Sequence, residues 1–111
     1  MASITFNCTI QEGIIPHDLR PALASGLARV CTSILGGAPD DLSVNFIEIP
    51  HGYGFRGGEL STTSAVRGEI PPGCEQTTRV QLMQEIQDMW MELTGCTTHE
   101  LVVSARDRRE Q

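Results

Sequence analysis

The side chains best equipped for chemistry in this 111-residue chain lie in two stretches. The first is H-G-Y-G-F-R-G-G, His51 to Gly58. Its glycines let the backbone take positive φ and fold tightly back. His51 and Tyr53 stand at the loop entrance, where both can donate hydrogen bonds to a ligand, and Phe55 and Arg56 add a ring and a cation. Aromatic-studded glycine turns after a strand suit the rim of a binding site or a subunit contact. They suit a plain hairpin equally well, with these residues simply solvated. The second stretch is R-G-E-I-P-P-G-C, Arg67 to Cys74. Cys74 opens the second predicted helix, whose N-terminal dipole lowers a thiol pKa, so it is either a reactive thiol or a small buried hydrophobe. Cys8, Cys31 and Cys96 show no C-x-x-C spacing, and His51 has no partner at ligand spacing. Neither a metal site nor a disulfide framework is expected, and reduced thiols point to a cytoplasmic protein. The glycine run follows no strand-to-helix junction, so it is not a nucleotide loop, and no cofactor is expected.

The elements that position these groups follow from periodicity. Ile4 to Ile10 alternates as a strand. A helix opens near His17 or Asp18, with Asp18 as N-cap and Pro21 tolerated in the first turn. Leu19, Leu23, Leu27, Val30 and Ile34 make one apolar stripe, and Gly36-Gly37 with Pro39 stops it. Val44 to Ile49 reads as a buried central strand that Pro50 ends. Ala65 to Ile70 is a further strand, broken by Pro71-Pro72-Gly73. A second helix spans about 75–93 with Leu82, Ile86, Met89 and Leu93 as its stripe and Trp90 and Met83 flanking it as core or interface. Leu101 to Ala105 is the last strand.

The halves repeat. Leu23, Leu27, Val30, Ile34, Gly36, Leu42 and Val44 each have a like residue 59 positions on, from Leu82 (82 − 23 = 59) to Val103 (103 − 44 = 59). Such matching predicts two tandem β-α-β units, about 3–50 and 62–106, in one α+β domain over residues 1–111. Four strands with two helices on one face leave the other sheet face bare, and apolar residues on both sides of the strands would bury it against other subunits. The element order also fits a ferredoxin-like module, in which the two units interleave.

Bulk properties exclude some partners. A net charge of −6 and scattered basic residues argue against nucleic acid. No apolar run approaches the roughly 20 residues of a membrane span.

V-N-F-x-E-x-P-x-G-x-x-F-x-G-G (Val44, Asn45, Phe46, Glu48, Pro50, Gly52, Phe55, Gly57, Gly58), C-T-x-Q-E-G (Cys8 to Gly13) and T-G (Thr94, Gly95) together resemble the tautomerase superfamily, in particular the branch of cis-3-chloroacrylic acid dehalogenase. The resemblance covers nearly the whole chain. It implies two β-α-β units per subunit, a homotrimer, and sites near each N-terminus at subunit boundaries. The family acts through an N-terminal proline, whose position falls here at Ser3 or Ile4, while residue 2 is Ala2. If the initiator methionine is removed, Ala2 offers a primary α-amine with an ordinary pKa of roughly 7.7–8.0, which can serve as a base. Cys31 stands where the branch has a histidine in the first helix. Pro71 and Cys74 stand where it has two arginines that hold a substrate carboxylate. The branch's later tyrosine and glutamate have no counterpart, so halide-releasing hydrolysis is not expected.

These departures have a direction. Losing two guanidinium groups to Pro71 and Cys74 makes the pocket less polar, so the expected partner is a neutral, fairly apolar carbonyl compound rather than a dicarboxylate. Arg67 and Arg56 remain to polarise its oxygen, unless they are surface arginines. The expected function is an isomerase-type proton transfer or cyclisation, in specialised metabolism, with proton traffic through Ala2, Tyr53, Cys31 or Cys74. The alternative is a non-catalytic small-molecule-binding or assembly protein on the same scaffold.

Overall fold

A computed structural model describes residues 3–36, 41–50, 55–56, 58–60 and 62–107. In chain order the elements are β1 (Ser3–Gln11), α1 (Arg20–Leu35), β2 (Asp41–Ile49), β3 (Phe55–Arg56), β4 (Glu59–Leu60), β5 (Ser64–Ile70), α2 (Gln76–Thr94) and β6 (Leu101–Asp107). Alternation sets the faces: Ile4, Phe6, Cys8 and Ile10 of β1, with Val66 and Ile70 of β5, are buried on one side of the sheet. Leu23, Leu27 and Val30 of α1 and Leu82, Ile86, Met89 and Trp90 of α2 join them in one core. The outermost stripe position of α2, Leu93, is exposed, and Trp90 takes the inward place.

The sheet order is β2-β1-β5-β6. β1 pairs with β2 and β5 with β6 in parallel, while β1 and β5 meet antiparallel at the centre. The two β-α-β units therefore lie side by side and are not interleaved, which removes the ferredoxin-like alternative. Ile4 pairs with Leu42 and Ser64 with Leu101, so the second strands keep the offset of 59 (101 − 42) while the first strands are offset by 60 (64 − 4). The central pairs Phe6–Gly68 and Cys8–Val66 then exchange about a local twofold that passes between Asn7 and Arg67. Side-chain volume breaks that symmetry. The Phe6 ring lies over Gly68, where an added Cβ would stand 2.6 Å from its Cε1.

Three expectations are corrected. The Val44–Ile49 run forms β2, an edge strand with Val44 and Phe46 only half-buried, because the β-α-β crossover places β1 and not β2 beside the second unit. Asp18 is not an N-cap: His17–Leu19 is a 3-10 turn, α1 starts at Arg20 after Leu19, and no side chain caps it. Pro21 explains this. It has no N–H to return to His17 O, so Arg20 makes that bond instead and the turn tightens. Finally, the bare sheet face is not apolar on the whole. It carries Thr5, Asn7, Thr9, Asn45, Arg67, Glu69, Ser104 and Arg106, with Ile47 and Val102 as its exposed large hydrophobics.

The glycine loop includes a short hairpin, Phe55 opposite Leu60 and Arg56 opposite Glu59, turned through Gly58 at φ +83°. No described helix is long and apolar enough to cross a membrane.

Candidate functional site

At the end of β5 the chain must leave the sheet, since Pro71 and Pro72 cannot donate to the ladder. Gly73, at φ +94°, completes the turn, a backbone region that side chains rarely enter. Pro71 and Cys74 are both half-buried, and Cys74 packs against the core with its Sγ 3.6 Å from Glu75 O. Helix α2 begins at Gln76 with Glu75 as its N-cap, so Cys74 precedes the helix instead of opening it. One guanidinium ties the turn together: Arg79 Nη2 donates to Asp107 Oδ1 at 2.6 Å and to Cys74 O at 3.4 Å. The turn, the first part of α2 and the last residue of β6 are thereby joined. Because β1 runs antiparallel to β5, this is also the end of the sheet where β1 starts at Ser3.

The other unit carries the same device. Arg20 Nη2 donates to Glu48 Oε2 at 2.5 Å, and both partners share the offset of 59 (79 − 20 and 107 − 48). The Arg20 guanidinium also lies 5.8 Å from the Phe46 ring centroid, and His17 Nε2 is 3.9 Å from the same carboxylate. Arg20 and Arg79 side chains are only 17% and 19% exposed, so each bridge is well shielded on its cationic side. The Nε of each is buried with no partner among the described residues. Sequence reasoning missed both bridges, although the repeat offset was their signal.

The remaining sequence candidates separate. Cys31 is fully buried in the core, and burial pushes its thiol up to about 11. Cys8 is likewise pushed up to about 12 by burial. Neither is a thiolate near neutrality, and Cys31 fills a core position. All four cysteines are free. Arg67 lies on the open sheet face, the opposite side from Cys74, in a polar row Asn45–Asn7–Arg67–Ser104 that crosses all four strands. Asn45 Nδ2 donates to Asn7 Oδ1 at 3.1 Å. Ile47, Glu69 and Arg106 complete the walls of a groove of about 540 Å³ there, with Arg106 3.8 Å from Glu69. Pro71 lies four residue steps beyond Arg67 along the strand, roughly 13 Å of chain. The structure therefore does not bring Arg67 and Cys74 to one point. Phe55 and Arg56 are placed as backbone in β3, while Ala2, His51 and Tyr53 lie outside the described residues. Among the described residues no group of three His, Cys, Asp or Glu is arranged to hold a metal.

The fold is tautomerase-like, an α+β layer pair of two tandem β-α-β units. Native Ps01740 superposes with a TM-score of 0.88 at 28% identity, over 94% of this chain and 93% of that chain. A wild-type symmetric trimer of fused 4-OT gives a TM-score of 0.83 at 17% identity, over 94% and 85%. N1, a member of the cis-3-chloroacrylic acid dehalogenase family, gives 0.83 at 15% identity, over 94% and 74%. These neighbours are tautomerase superfamily members, and at such low identity the last two likenesses speak for the fold alone. No protein-family model and no curated protein matches the sequence.

Proposed function

We propose that the chain is a tautomerase-like catalyst of proton transfer on a neutral, fairly apolar carbonyl compound, working at the Pro71–Cys74 turn. The observation that carries this reading is the commitment of Arg79. A guanidinium free to form a bidentate pair is a strong holder of a substrate carboxylate, and among the described residues the one bonded into this turn, Arg79, is already occupied by Asp107 and Cys74 O. With half-buried Pro71 and Cys74 beside it, the turn favours an uncharged ligand. The proton carriers in this reading are the Cys74 thiol and, where processing exposes it, the α-amine of Ala2. Arg67 is assigned to assembly, since it faces away from the turn. We assign the working unit as a homotrimer, supported by fused 4-OT neighbours described as symmetric and asymmetric trimers.

Ketonisation of the methyl ester of phenylenolpyruvate, followed by ultraviolet absorbance, tests the reading. Turnover above buffer that falls in Cys74→Ala supports it. Thermal stabilisation by the ester without any turnover means that the scaffold binds and does not catalyse.

A further inference from the structure

The local twofold has a second consequence at the far end of α2. Ser64, the counterpart of Ile4, begins β5 beside a recess of about 180 Å³. Its apolar walls are Ile15 and Trp90, 4% and 1% exposed, and Ile14 stands at the rim, 42% exposed. Its polar lining comes from Thr62, Ser64, Thr94 and Glu100. Thr94 is fixed by its own chain: its Oγ1 donates to Trp90 O at 2.8 Å and accepts from Cys96 N at 3.3 Å. Glu100 is held in a capping box, accepting from Thr97 N at 3.0 Å and Thr97 Oγ1 at 3.1 Å. Those bonds hold its carboxyl below the ordinary carboxylate range.

Among the described residues the lining thus contains one carboxylate and no cationic side chain. An anionic ligand meets repulsion here, while a hydroxyl finds acceptors at Glu100 and the Ser64 and Thr62 oxygens. The volume is below the usual 300–1,000 Å³ of drug-sized sites and suits roughly one ring. We propose that this recess is a second binding site, separate from the Pro71–Cys74 turn, for a small neutral molecule with one apolar ring and one hydroxyl. The ring packs on Trp90, Ile14 and Ile15, and the hydroxyl donates to the polar lining.

Trp90 is the single tryptophan, so tryptophan emission, excited selectively over Tyr53, reports the surroundings of Trp90. The full chain is titrated with benzyl alcohol and, separately, with benzoate, and Cys96 alkylation is followed by peptide mass with Cys74 as the internal control. The expected result is a saturable Trp90 response to benzyl alcohol, none to benzoate, and protection of Cys96 but not of Cys74. Ile14→Arg changes an exposed rim residue, so the fold survives, and it should shift preference towards benzoate by about two- to fivefold. A non-saturating response to benzyl alcohol, an equal response to benzoate, or equal protection of both cysteines overturns the proposal. Ester turnover at the Pro71–Cys74 turn is read separately and is expected to persist at saturating benzyl alcohol.

Discussion

Gly68→Ala tests the packing at the centre of the sheet. Gly68 pairs directly with Phe6, which is fully buried. An added Cβ would stand 2.6, 3.1 and 3.2 Å from ring atoms Cε1, Cδ1 and Cζ. Carbon pairs rest at about 3.5–4.0 Å, so the ring must retreat by nearly an ångström. It has nowhere flexible to go, because a phenyl ring moves as one plane and the core around it is filled. Overpacking of this kind costs about 1–3 kcal/mol, against a gain of under about 1 kcal/mol for replacing a strand glycine. Net destabilisation of about 1–2 kcal/mol should lower Tm by roughly 4–16 °C at fixed protomer concentration. The assay is thermal unfolding by circular dichroism of Gly68→Ala, Phe6→Leu and the double variant. Phe6→Leu vacates the space the methyl needs, so the double variant should recover about 1 kcal/mol relative to the sum of the singles. A neutral Gly68→Ala, or strictly additive singles, would refute the argument.

Gly26→Ala probes the same geometry with a softer neighbour: the new Cβ meets Met89 Sδ at 2.5 Å, but a thioether can rearrange and helix propensity improves. Its unfolding midpoint should therefore fall less than that of Gly68→Ala. Asp107→Asn weakens the grip on Arg79 and should cost about 1 kcal/mol in urea unfolding, with Glu48→Gln giving a matching loss in the other unit. Ellman's reagent at pH 8 should titrate Cys74 and Cys96 in the folded protein and reach Cys8 and Cys31 only after unfolding. Those two buried thiols rise from 9.0 to about 12 and about 11, so the folded state holds protons that the unfolded state releases. Their contribution is complete below pH 9 and declines as pH rises from 9 towards 11–12, by up to about 1.4 kcal/mol per pH unit for each thiol, measurable by urea unfolding across that window.

The repeat was the most legible part of the sequence, because core positions in both units demand apolar residues at the same spacing. That alone gave the two β-α-β units and the helix stripes. The paired arginine–carboxylate bridges share the same offset of 59, yet charges carry no packing signal until helix and strand are brought together. Arg67 shows the opposite case. It is close to Cys74 in sequence, but Val66, Gly68 and Ile70 face the core, so alternation already sends Arg67 to the other face. Cys31 follows Leu27 by one helical turn and was readable as core for the same reason. The edge position of β2 was not readable, since an apolar run fits an edge strand whose inner face is covered as well as a central one.

The most direct measurement is kcat/KM for phenylenolpyruvate and for its neutral methyl ester in parallel on the same protein. A site whose guanidinium is committed to Asp107 should favour the ester, and Asp107→Asn should narrow that preference by releasing Arg79. Faster turnover of the free acid, unchanged in Asp107→Asn, would contradict the account.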